Sequence, residues 1–525
     1  MSDKLPWWHG AVIYQIYPRS FLDTDGDGIG DLAGIERRLD HIAALGADAI
    51  WLSPIYPSPN RDYGYDVADY RSVAPEMGSL AGFDRLVAAA HRVGLRVILD
   101  QVLSHSSDQH PWFLESAASR DNAKADWYVW ADAREDGGPP NNWLAAFGGA
   151  AWSWSPQRRQ YYHHKFLRQQ PKLNFHQPAV AAAMLDVLRF WLDRGVDGFR
   201  LDVANSYIHD PALRDNPPVP MAERIASDWQ HPPRLQRHLR DANMPENEAV
   251  MLAVRQVMDG YGDRFVFGEF SEEPSMFGRY AGGDRLHSGY TFGFLEDRSF
   301  NPRLFRTYYV DLLAAWPDLW PCVTFSNHDV MRPVTRWGGG EGDDDLAKLG
   351  LTLLLALKGT VLLYQGEELG LAEAELDRRD LHDPFGDLYY PHFKGRDGCR
   401  TPMPWDGSPS AGFTSGTPWL PIPSHHRNRS VAAQIGDAGS VLHHARRMIA
   451  LRRRYPALIH GGIRFLDLPE PVLGFVREAE GERILCVFNL GREPARCRLP
   501  AFGPPIFGTG GAELAPRSAL LAPLA

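Results

Sequence analysis

Short apolar runs alternate with longer amphipathic stretches over most of this chain, and this alternation restricts the fold more than any other feature. The runs VIYQIYP (12–18), ADAIWLS (47–53) and LRVILDQV (95–102) have the length and composition of buried strands. The stretches LAGIERRLDHIAALG (32–46) and FDRLVAAAHRVG (83–94) lie between them and carry apolar residues at helical spacing. Strands that alternate with helices in this way predict βα units and a parallel sheet.

The alternation stops after the third strand and resumes further along the chain. The interrupting stretch is rich in Trp, Tyr, Gly and Pro, and it follows the carboxyl end of a strand, where barrels carry their site-building insertions. Further strands are predicted at 195–202, 264–270, 322–329 and 360–368, and a weaker run near 288–294 is needed to complete eight. The sequence therefore predicts an α/β fold, a (β/α)8 TIM barrel with a subdomain inserted after strand 3 and a C-terminal antiparallel β domain. The expected boundaries are 1–104 and 176–456 for the barrel, 105–175 for the insertion and 457–525 for the β domain.

Composition excludes several classes of protein. The 55 basic and 65 acidic residues give a net charge of −10, and no basic block occurs, so we expect no nucleic-acid partner. No apolar stretch approaches the length of a membrane span, and the first residues lack the pattern of a signal peptide. Four cysteines are too few for a disulfide framework. We therefore expect a cytoplasmic enzyme or binding protein for uncharged ligands, without a membrane partner.

Acidic residues close several of the predicted strands and are each followed at once by a loop: Asp100, Asp202, Glu269 and Asp329. The carboxyl ends of parallel barrel strands face one pocket, so these side chains should converge there. Carboxylates held together repel, which separates their pKa values and allows one to act as an acid and another as a base. Three more polar side chains occur in the same segments: His105, Arg200 and His328.

The segments around these residues resemble the motifs of the alpha-amylase family of glycoside hydrolases. DQVLSH (100–105), GFRLD (198–202), FGEF (267–270) and SNHD (326–329) occur in the order and rough spacing typical of that family. Other segments are similar to its alpha-glucosidase branch, which includes oligo-1,6-glucosidases, maltase-like enzymes and sucrose isomerases: WWHGAVIYQIYPRSF, NRDYGYDVADY (60–70), YQGEELG (364–370) and GRDGCRTPMPW (395–405). The resemblance extends over the whole chain.

The resemblance implies a catalytic role for three of the acids. Asp202 matches the family's nucleophile, Glu269 its acid/base and Asp329 the third acid, which holds sugar hydroxyls. This agrees with the chemistry of retaining glycosidases, which use one carboxylate as nucleophile and a protonated one as acid, about 5–5.5 Å apart. The guanidinium of Arg200 is expected to keep Asp202 ionised, and the apolar strand around Glu269 is expected to raise the pKa of its carboxyl.

Further residues match the substrate contacts of the branch. Asp62, Tyr65 and Arg400 match residues that close the pocket around the non-reducing end of the substrate, which would make cleavage exo-acting. His105 and His328 match hydrogen-bond donors to the first glucose ring. Three aromatic side chains are candidates for stacking on sugars, although a role in the core fits each as well: Phe147, Phe166 and Tyr390.

The segment DTDGDGIGD places acids at Asp23, Asp25, Asp27 and Asp31 and resembles the first nine positions of an EF-hand loop. Its twelfth position is Gly34, where an EF-hand needs a bidentate Glu, so an EF-hand is not expected. The resemblance implies instead a structural Ca²⁺ or Mg²⁺ site after the first strand, with the carbonyl of Ile29 as a further ligand. A metal-free, Asp-rich turn is the alternative.

The chain departs from the family pattern at several positions. Ser104 stands in place of the usual Asn, and Lys172 in QPKLN in place of the usual Asp, where it could alter contacts behind the site or around the metal loop. Val203 follows the matched nucleophile, as it does in α-1,6-cleaving and sucrose-acting members, but one residue leaves the linkage open. Val361 and Pro404 also differ from the usual Pro and Gln.

The sequence predicts a retaining, exo-acting alpha-glucosidase that releases glucose from short α-glucosides through a glucosyl ester on Asp202. That intermediate can pass to water or to an alcohol, so transglucosylation is expected. The alternatives are a glucosyltransferase or sucrose isomerase, although the segment at 330–340 lacks the charged loop typical of sucrose isomerases. A catalytically silent sugar-binding homologue is disfavoured by the retained acids. The expected partners are small-molecule α-glucosides, including sucrose, and alcohol acceptors, and the expected assembly is a monomer or a small homo-oligomer.

Overall fold

A computed structural model describes residues 5–224, 232–271, 274–509, 511 and 513–524. Eight parallel strands form the central sheet, and they run in chain order around a nearly closed barrel. Their bounds are Val12–Ile16, Ala49–Leu52, Arg96–Gln101, Gly198–Leu201, Phe265–Phe270, Ser288–Thr291, Cys322–Val323 and Thr360–Tyr364. We refer to them below as the first to eighth barrel strands. The weak run near 288–294 is thus the sixth strand, and the predicted TIM-barrel fold is confirmed.

Helices follow the barrel strands and cover the outside of the sheet. The principal ones are Leu32–Arg37, Leu39–Leu45, Leu80–Arg92, Pro178–Leu192, Asn247–Asp259, Pro302–Ala315, Asp344–Ala356 and Val441–Arg454. Shorter helices are Gly293–Glu296, Pro333–Arg336, Pro384–Tyr389, Asp397–Arg400, Ser424–Asn428, Val431–Ile435 and Pro456–His460. No helix among the described residues is long and apolar enough to cross a membrane.

Side chains of the barrel strands alternate between two cores, as the two-residue period of a strand requires. Ile13 belongs to a cluster inside the barrel, whereas Val12 and Tyr14 pack with helix residues outside the sheet. Trp8 stacks on Phe265 with ring centroids 4.8 Å apart and closes the barrel interior at its amino end. The polar side chains of the strands are therefore left at the opposite, carboxyl end.

The seventh strand is much shorter than the predicted run at 322–329. After Val323 the chain turns, with the Thr324 hydroxyl donating to the carbonyl of Ser326 at 2.7 Å. This turn takes the chain out of the sheet before His328 and Asp329, and the two side chains reach the carboxyl end of the barrel from a loop.

The chain between the third and fourth barrel strands contains a small antiparallel sheet. Its strands are Trp130–Ala131, Trp152–Ser155 and Gln160–His163, and the helix Pro111–Ala118 precedes them. Trp143 and Trp152 stack with ring centroids 5.9 Å apart in a separate apolar cluster. This insertion has its own core and stands over the carboxyl end of the barrel strands.

An antiparallel β domain follows the last barrel helix. Five of its strands form one sheet, Gly462–Phe465, Val472–Ala479, Glu482–Asn489, Phe507–Gly508 and Ser518–Pro523, and two more pair separately, Ala495–Arg496 and Glu513–Leu514. Arg477 of this sheet is fully buried and donates to the carbonyls of Ala356 and Gly461. Because one buried guanidinium bonds to a carbonyl of the barrel helix Asp344–Ala356 and to a carbonyl at the start of the β domain, it holds the two together.

Candidate active site

Three carboxylates share one buried arginine at the carboxyl end of the barrel. Arg200 in the fourth strand is fully buried and pairs with Asp100 of the third strand in the sheet register. Its Nη1 donates to Asp100 Oδ1 at 2.7 Å and to Asp202 Oδ1 at 2.9 Å, and its Nη2 lies 2.5 Å from Glu269 Oε1. Three of the four strand-end acids predicted from the sequence therefore meet on a single guanidinium.

Glu269 is oriented by neutral donors as well as by Arg200. Its Oε1 accepts from the Tyr290 hydroxyl at 3.0 Å, and its Oε2 accepts from the backbone N–H of Val203 at 3.3 Å. Val203 has φ 39° and ψ 47°, a left-handed conformation that is strained for a β-branched residue. The strained turn directly after Asp202 is what directs this N–H at Glu269.

Asp329 lies beside a buried, neutral histidine. His328 Nε2 is 3.2 Å from Asp329 Oδ2 and 2.5 Å from the Tyr65 hydroxyl, while its Nδ1 is 2.9 Å from Gln15 Nε2. Burial and the neighbouring arginines lower the pKa of His328 to about 3 despite Asp329. The ring is therefore uncharged at neutral pH and offers hydrogen bonds rather than charge.

Asp62 is held by an arginine that the sequence reasoning missed. Arg396 Nη2 donates to Asp62 Oδ1 at 2.7 Å, and Arg396 Nη1 donates to Asp329 Oδ1 at 3.0 Å. Gln170 Nε2 donates to the other oxygen of Asp62 at 3.0 Å. The acid predicted at the non-reducing end is thus joined to the acid of the seventh-strand loop through one guanidinium.

Arg400, the arginine selected from the sequence, lies behind this pair. It is fully buried, donates through Nη2 to Asp329 Oδ1 at 2.9 Å and through Nε to the carbonyl of His328 at 2.7 Å. Its guanidinium lies over the ring of Tyr17, 5.3 Å from the centroid. Arg400 therefore supports Asp329 from below, while Arg396 reaches the cavity. Both occur in GRDGCR, so the motif alone does not distinguish them.

These side chains surround a cavity of about 460 Å³ at the mouth of the barrel. Eight of the candidate site residues predicted from the sequence line it: Asp62, Tyr65, His105, Phe147, Phe166, Asp202, Glu269 and Asp329. Arg200, His328 and Arg400 are buried beneath its floor. Phe147 packs on Phe166, whereas Tyr390 lies under the Arg378 guanidinium instead. The outer wall combines apolar and polar side chains: Phe292, Val330, Phe385, Lys165, Arg234, His238 and Glu296.

The pKa values of the buried aspartates of the site are shifted in opposite directions. Burial raises the pKa of Asp202 well above its usual range; Arg200 opposes this, as expected from the sequence, but the carboxylates around it add to the rise. Burial also raises the pKa of Asp100 to about 6. Burial acts the same way on Asp329, but His328 and the two arginines hold its pKa well below the usual range. Asp329 therefore stays ionised at neutral pH.

Two departures from the family pattern lie directly behind the cavity. The Ser104 hydroxyl is 2.6 Å from Nδ1 of His105, so it orients the ring that lines the cavity. Lys172 is fully buried and donates to the carbonyl of Ser206, in the short turn that follows Asp202. Lys172 therefore contacts the backbone behind the site and not the Asp-rich loop.

The Asp-rich loop brings three of its four acids together. Carboxylate oxygens of Asp23, Asp25 and Asp27 lie within 4.8 Å of one another. Asp31 instead caps the helix Leu32–Arg37, accepting from the N–H of Gly34 at 2.7 Å. Burial and the neighbouring acids raise the pKa of Asp27. The oxygen-only donor set and the concentrated negative charge fit a hard divalent cation.

Comparisons with known proteins agree on one family. A model of the alpha-amylase catalytic domain matches residues 15–461. A probable alpha-glucosidase of Rhizobium meliloti (strain 1021) is 54% identical over 501 residues, which cover 94% of this chain and 91% of that protein. An oligo-1,6-glucosidase of Heyndrickxia coagulans is 37% identical over 522 residues, 92% of each chain. The solved structure of the alpha-glucosyl transfer enzyme XgtA is similar with a TM-score of 0.97 and 50% identity, over 99% of this chain and 100% of that one.

Proposed function

The chain belongs to the alpha-amylase family of glycoside hydrolases, and from that premise we propose that it is a retaining, exo-acting alpha-glucosidase. It releases glucose from the non-reducing end of short α-glucosides through a covalent glucosyl ester on Asp202. The single observation that carries the proposal is the contact of Arg200 with both Asp202 and Glu269. Two carboxyls on one guanidinium favour the short separation of retaining enzymes, about 5–5.5 Å, over the 6.5–9.5 Å or so of inverting ones.

The mechanism follows from the position of each group. Asp202 attacks the anomeric carbon while the protonated Glu269 gives its proton to the leaving glycosidic oxygen, so one bond forms as the other breaks. Glu269, now ionised, takes a proton from a water molecule, which attacks the anomeric carbon and displaces Asp202. Asp329 stays ionised between its arginines and stabilises the positive charge that develops on the sugar ring.

Exo-cleavage is supported by the contact between Asp62 and Arg396. Both side chains line the cavity and are nearly fully buried, so they form its closed end. A carboxylate beside a guanidinium can accept from and donate to the hydroxyls of a terminal sugar. A longer chain continuing past this point would collide with the pair.

Transfer of the glucosyl group is a second activity that the cavity favours. Phe292, Val330 and Phe385 add apolar surface to the wall of the cavity, which must also accept the group that leaves or enters after the first step. Such a wall suits the carbon skeleton of an alcohol or a second sugar. The similarity to a structure described as an alpha-glucosyl transfer enzyme supports this reading.

The test is to identify the products from maltose, isomaltose, sucrose and maltotriose, each with and without added ethanol. We expect free glucose from the non-reducing end, released as the α-anomer, and ethyl α-glucoside when ethanol is present. A β-anomeric product would contradict retention. With maltotriose labelled at its non-reducing end, exo-action gives labelled glucose and unlabelled maltose, so labelled maltose as the first labelled product would contradict exo-action. Conversion of sucrose to an isomeric disaccharide would favour the isomerase alternative.

The pH dependence of kcat/KM should report the raised pKa of Asp202. The nucleophile acts only when ionised, and burial raises the pKa of Asp202 while that of its neighbour Asp100 is about 6. We therefore expect kcat/KM to fall as the pH drops through a value well above about 4, the ordinary range of carboxyls. Enzyme held at low pH and assayed at pH 7 controls for unfolding. An acid limb below about pH 4.5 would contradict the assignment.

We also propose that the Asp-rich loop binds Ca²⁺ or Mg²⁺ as a structural ion, through Asp23, Asp25 and Asp27 and the Ile29 carbonyl. A cation at about 100 times its Kd stabilises the folded state by about 2.7 kcal/mol, so Ca²⁺ should raise Tm by about 2–3 °C over enzyme treated with EDTA. Asp25→Asn should abolish the rise, whereas Asp40→Asn, on the exposed face of a nearby helix, should retain it. A Tm independent of Ca²⁺ and Mg²⁺ would favour the metal-free turn.

A further inference from the structure

The carboxylate of Asp383 also binds Arg396, on the side of the guanidinium that faces away from the cavity. Asp383 has no exposed surface, and its Oδ1 accepts from Arg396 Nη2 at 2.7 Å. Its Oδ2 accepts from Arg396 Nε at 3.0 Å and from the backbone N–H of Arg396 at 2.6 Å. The guanidinium is therefore held along one edge by two parallel hydrogen bonds, the geometry that fixes its plane most firmly.

The remaining edge of Arg396 is the one that faces the substrate cavity. Nη1 points to Asp329 and Nη2 is shared between Asp383 and Asp62. Arg396 lines the cavity with Asp62 and Asp329, whereas Asp383 lies outside it. Asp383 thus contacts no substrate, but it determines where the arginine that holds two substrate-facing acids can lie.

The backbone near Gly395 packs closely against the carboxylate of Asp383. A Cβ on Gly395 would come within 2.7 Å of Asp383 Oδ2, so only glycine lets the backbone of the 394–397 segment approach this carboxylate. The neighbouring carboxylate of Asp397 accepts from the N–H groups of His382 and Asp383 at 2.6 and 2.8 Å. The 382–397 loop is therefore folded around the Asp383–Arg396 pair.

Asp383 has a second, purely structural task. Its carboxylate also caps the helix Pro384–Tyr389 by accepting from the N–H of Phe385 at 3.2 Å. That helix places Phe385 on the outer wall of the cavity, where it packs on Phe147. Capping needs one acceptor oxygen, which Ser or Asn supplies as well as Asp, whereas holding the guanidinium needs both oxygens and the charge.

We propose that Asp383 is a positioning residue that holds Arg396 between Asp62 and Asp329 and thereby builds the binding site for the terminal glucose. The proposal rests on the proposed function, because it assigns to Arg396 the recognition of the non-reducing end. Without Asp383, Arg396 is free to rotate toward the two remaining acids and no longer presents a defined edge to the sugar.

The test is a double-mutant cycle on the full chain with 4-nitrophenyl α-glucoside as substrate. Asp383→Ser and Asp383→Asn keep a helix cap and should lower kcat/KM on the order of 10- to 100-fold, the effect of losing a charge-assisted hydrogen bond. The loss should appear mainly in KM, because the terminal sugar is held in the ground state and the transition state alike. In an Arg396→Ala background the same substitutions should change kcat/KM less than twofold, since Asp383 acts through Arg396.

The matched control is Asp387→Ser, an exposed acid in the same short helix, which should leave KM, kcat and Tm unchanged. Losses that are equal in the wild-type and Arg396→Ala backgrounds would overturn the proposal, as would unchanged kcat/KM with a lowered Tm. Failure of both Asp383 variants to fold would also overturn it, because Asp383 would then be structural. Lack of α-glucosidase activity in the unmodified protein would instead refute the proposed function.

Discussion

Replacing Asp202 with asparagine is expected to lower kcat on maltose and on aryl α-glucosides by roughly 10⁴-fold or more, the scale seen when a covalent nucleophile is removed. The amide is isosteric with the carboxylate but cannot form the glucosyl ester. Stability should be unchanged or higher, because burial and the surrounding acids disfavour the charge that the substitution removes. Steady-state kinetics and thermal unfolding measure the two effects.

The control for this variant is Asp186→Asn, an exposed acid paired with Arg189 on the outside of a barrel helix, which should leave both quantities unchanged. Azide offers a sharper check in a variant with more room, Asp202→Gly. Azide entering from the nucleophile's side should give β-glucosyl azide. Turnover of Asp202→Asn within tenfold of the wild type would refute the covalent mechanism.

Replacing Glu269 with glutamine should have the second largest effect, and its size should depend on the leaving group. General acid–base catalysis contributes about 10²- to 10⁴-fold, so kcat/KM on maltose, whose leaving hydroxyl needs the proton, should fall by that factor. On α-glucosyl fluoride, which leaves without protonation, the first step should be nearly unaffected. The second step still lacks its base, so the glucosyl ester should accumulate on Asp202.

Intact-protein mass spectrometry after mixing this variant with α-glucosyl fluoride measures the accumulation directly. The matched control is Glu296→Gln, at the outer wall of the same cavity, which should form no trapped ester. Equal losses of kcat/KM on maltose and on the fluoride would mean that Glu269 does not protonate the leaving group. The assignment of acid and nucleophile would then have to be reversed or abandoned.

The fold could be predicted from the sequence because apolar residues recur at different spacings in its strands and in its helices. Apolar alternation located seven strands directly, and the sixth, Ser288–Thr291, was weak because it is short and contains Ser, Gly and Thr. The seventh was overestimated at 322–329, because the chain turns out of the sheet at Thr324, before the segment that carries His328 and Asp329. A one-dimensional pattern does not record where a turn interrupts it.

The acids of the site could also be predicted, because parallel strands carry their carboxyl ends to one place. The choice between Arg396 and Arg400 could not, since the two lie at opposite ends of one short helical turn and only the packing decides which side chain faces the cavity. Nor could Asp383, whose partner is thirteen positions away around a loop with no regular period. The rise in the pKa of Asp202 was missed for a related reason: burial depends on neighbours from every strand, and the sequence showed only the adjacent arginine.

The cavity is assembled from segments that are far apart in the chain, from Asp62 near the second barrel strand to Arg396 after the eighth. Ribosomes add roughly 5–20 residues per second, so about 15–70 seconds separate the synthesis of the first of these side chains from that of the last. Until Arg396 has left the ribosome and packed into the site, the growing chain contains Asp62 and Asp329 without the guanidinium that fixes their positions. Sugar binding is therefore expected to begin abruptly and late in biogenesis, which makes recovery of activity a reporter of complete rather than partial folding.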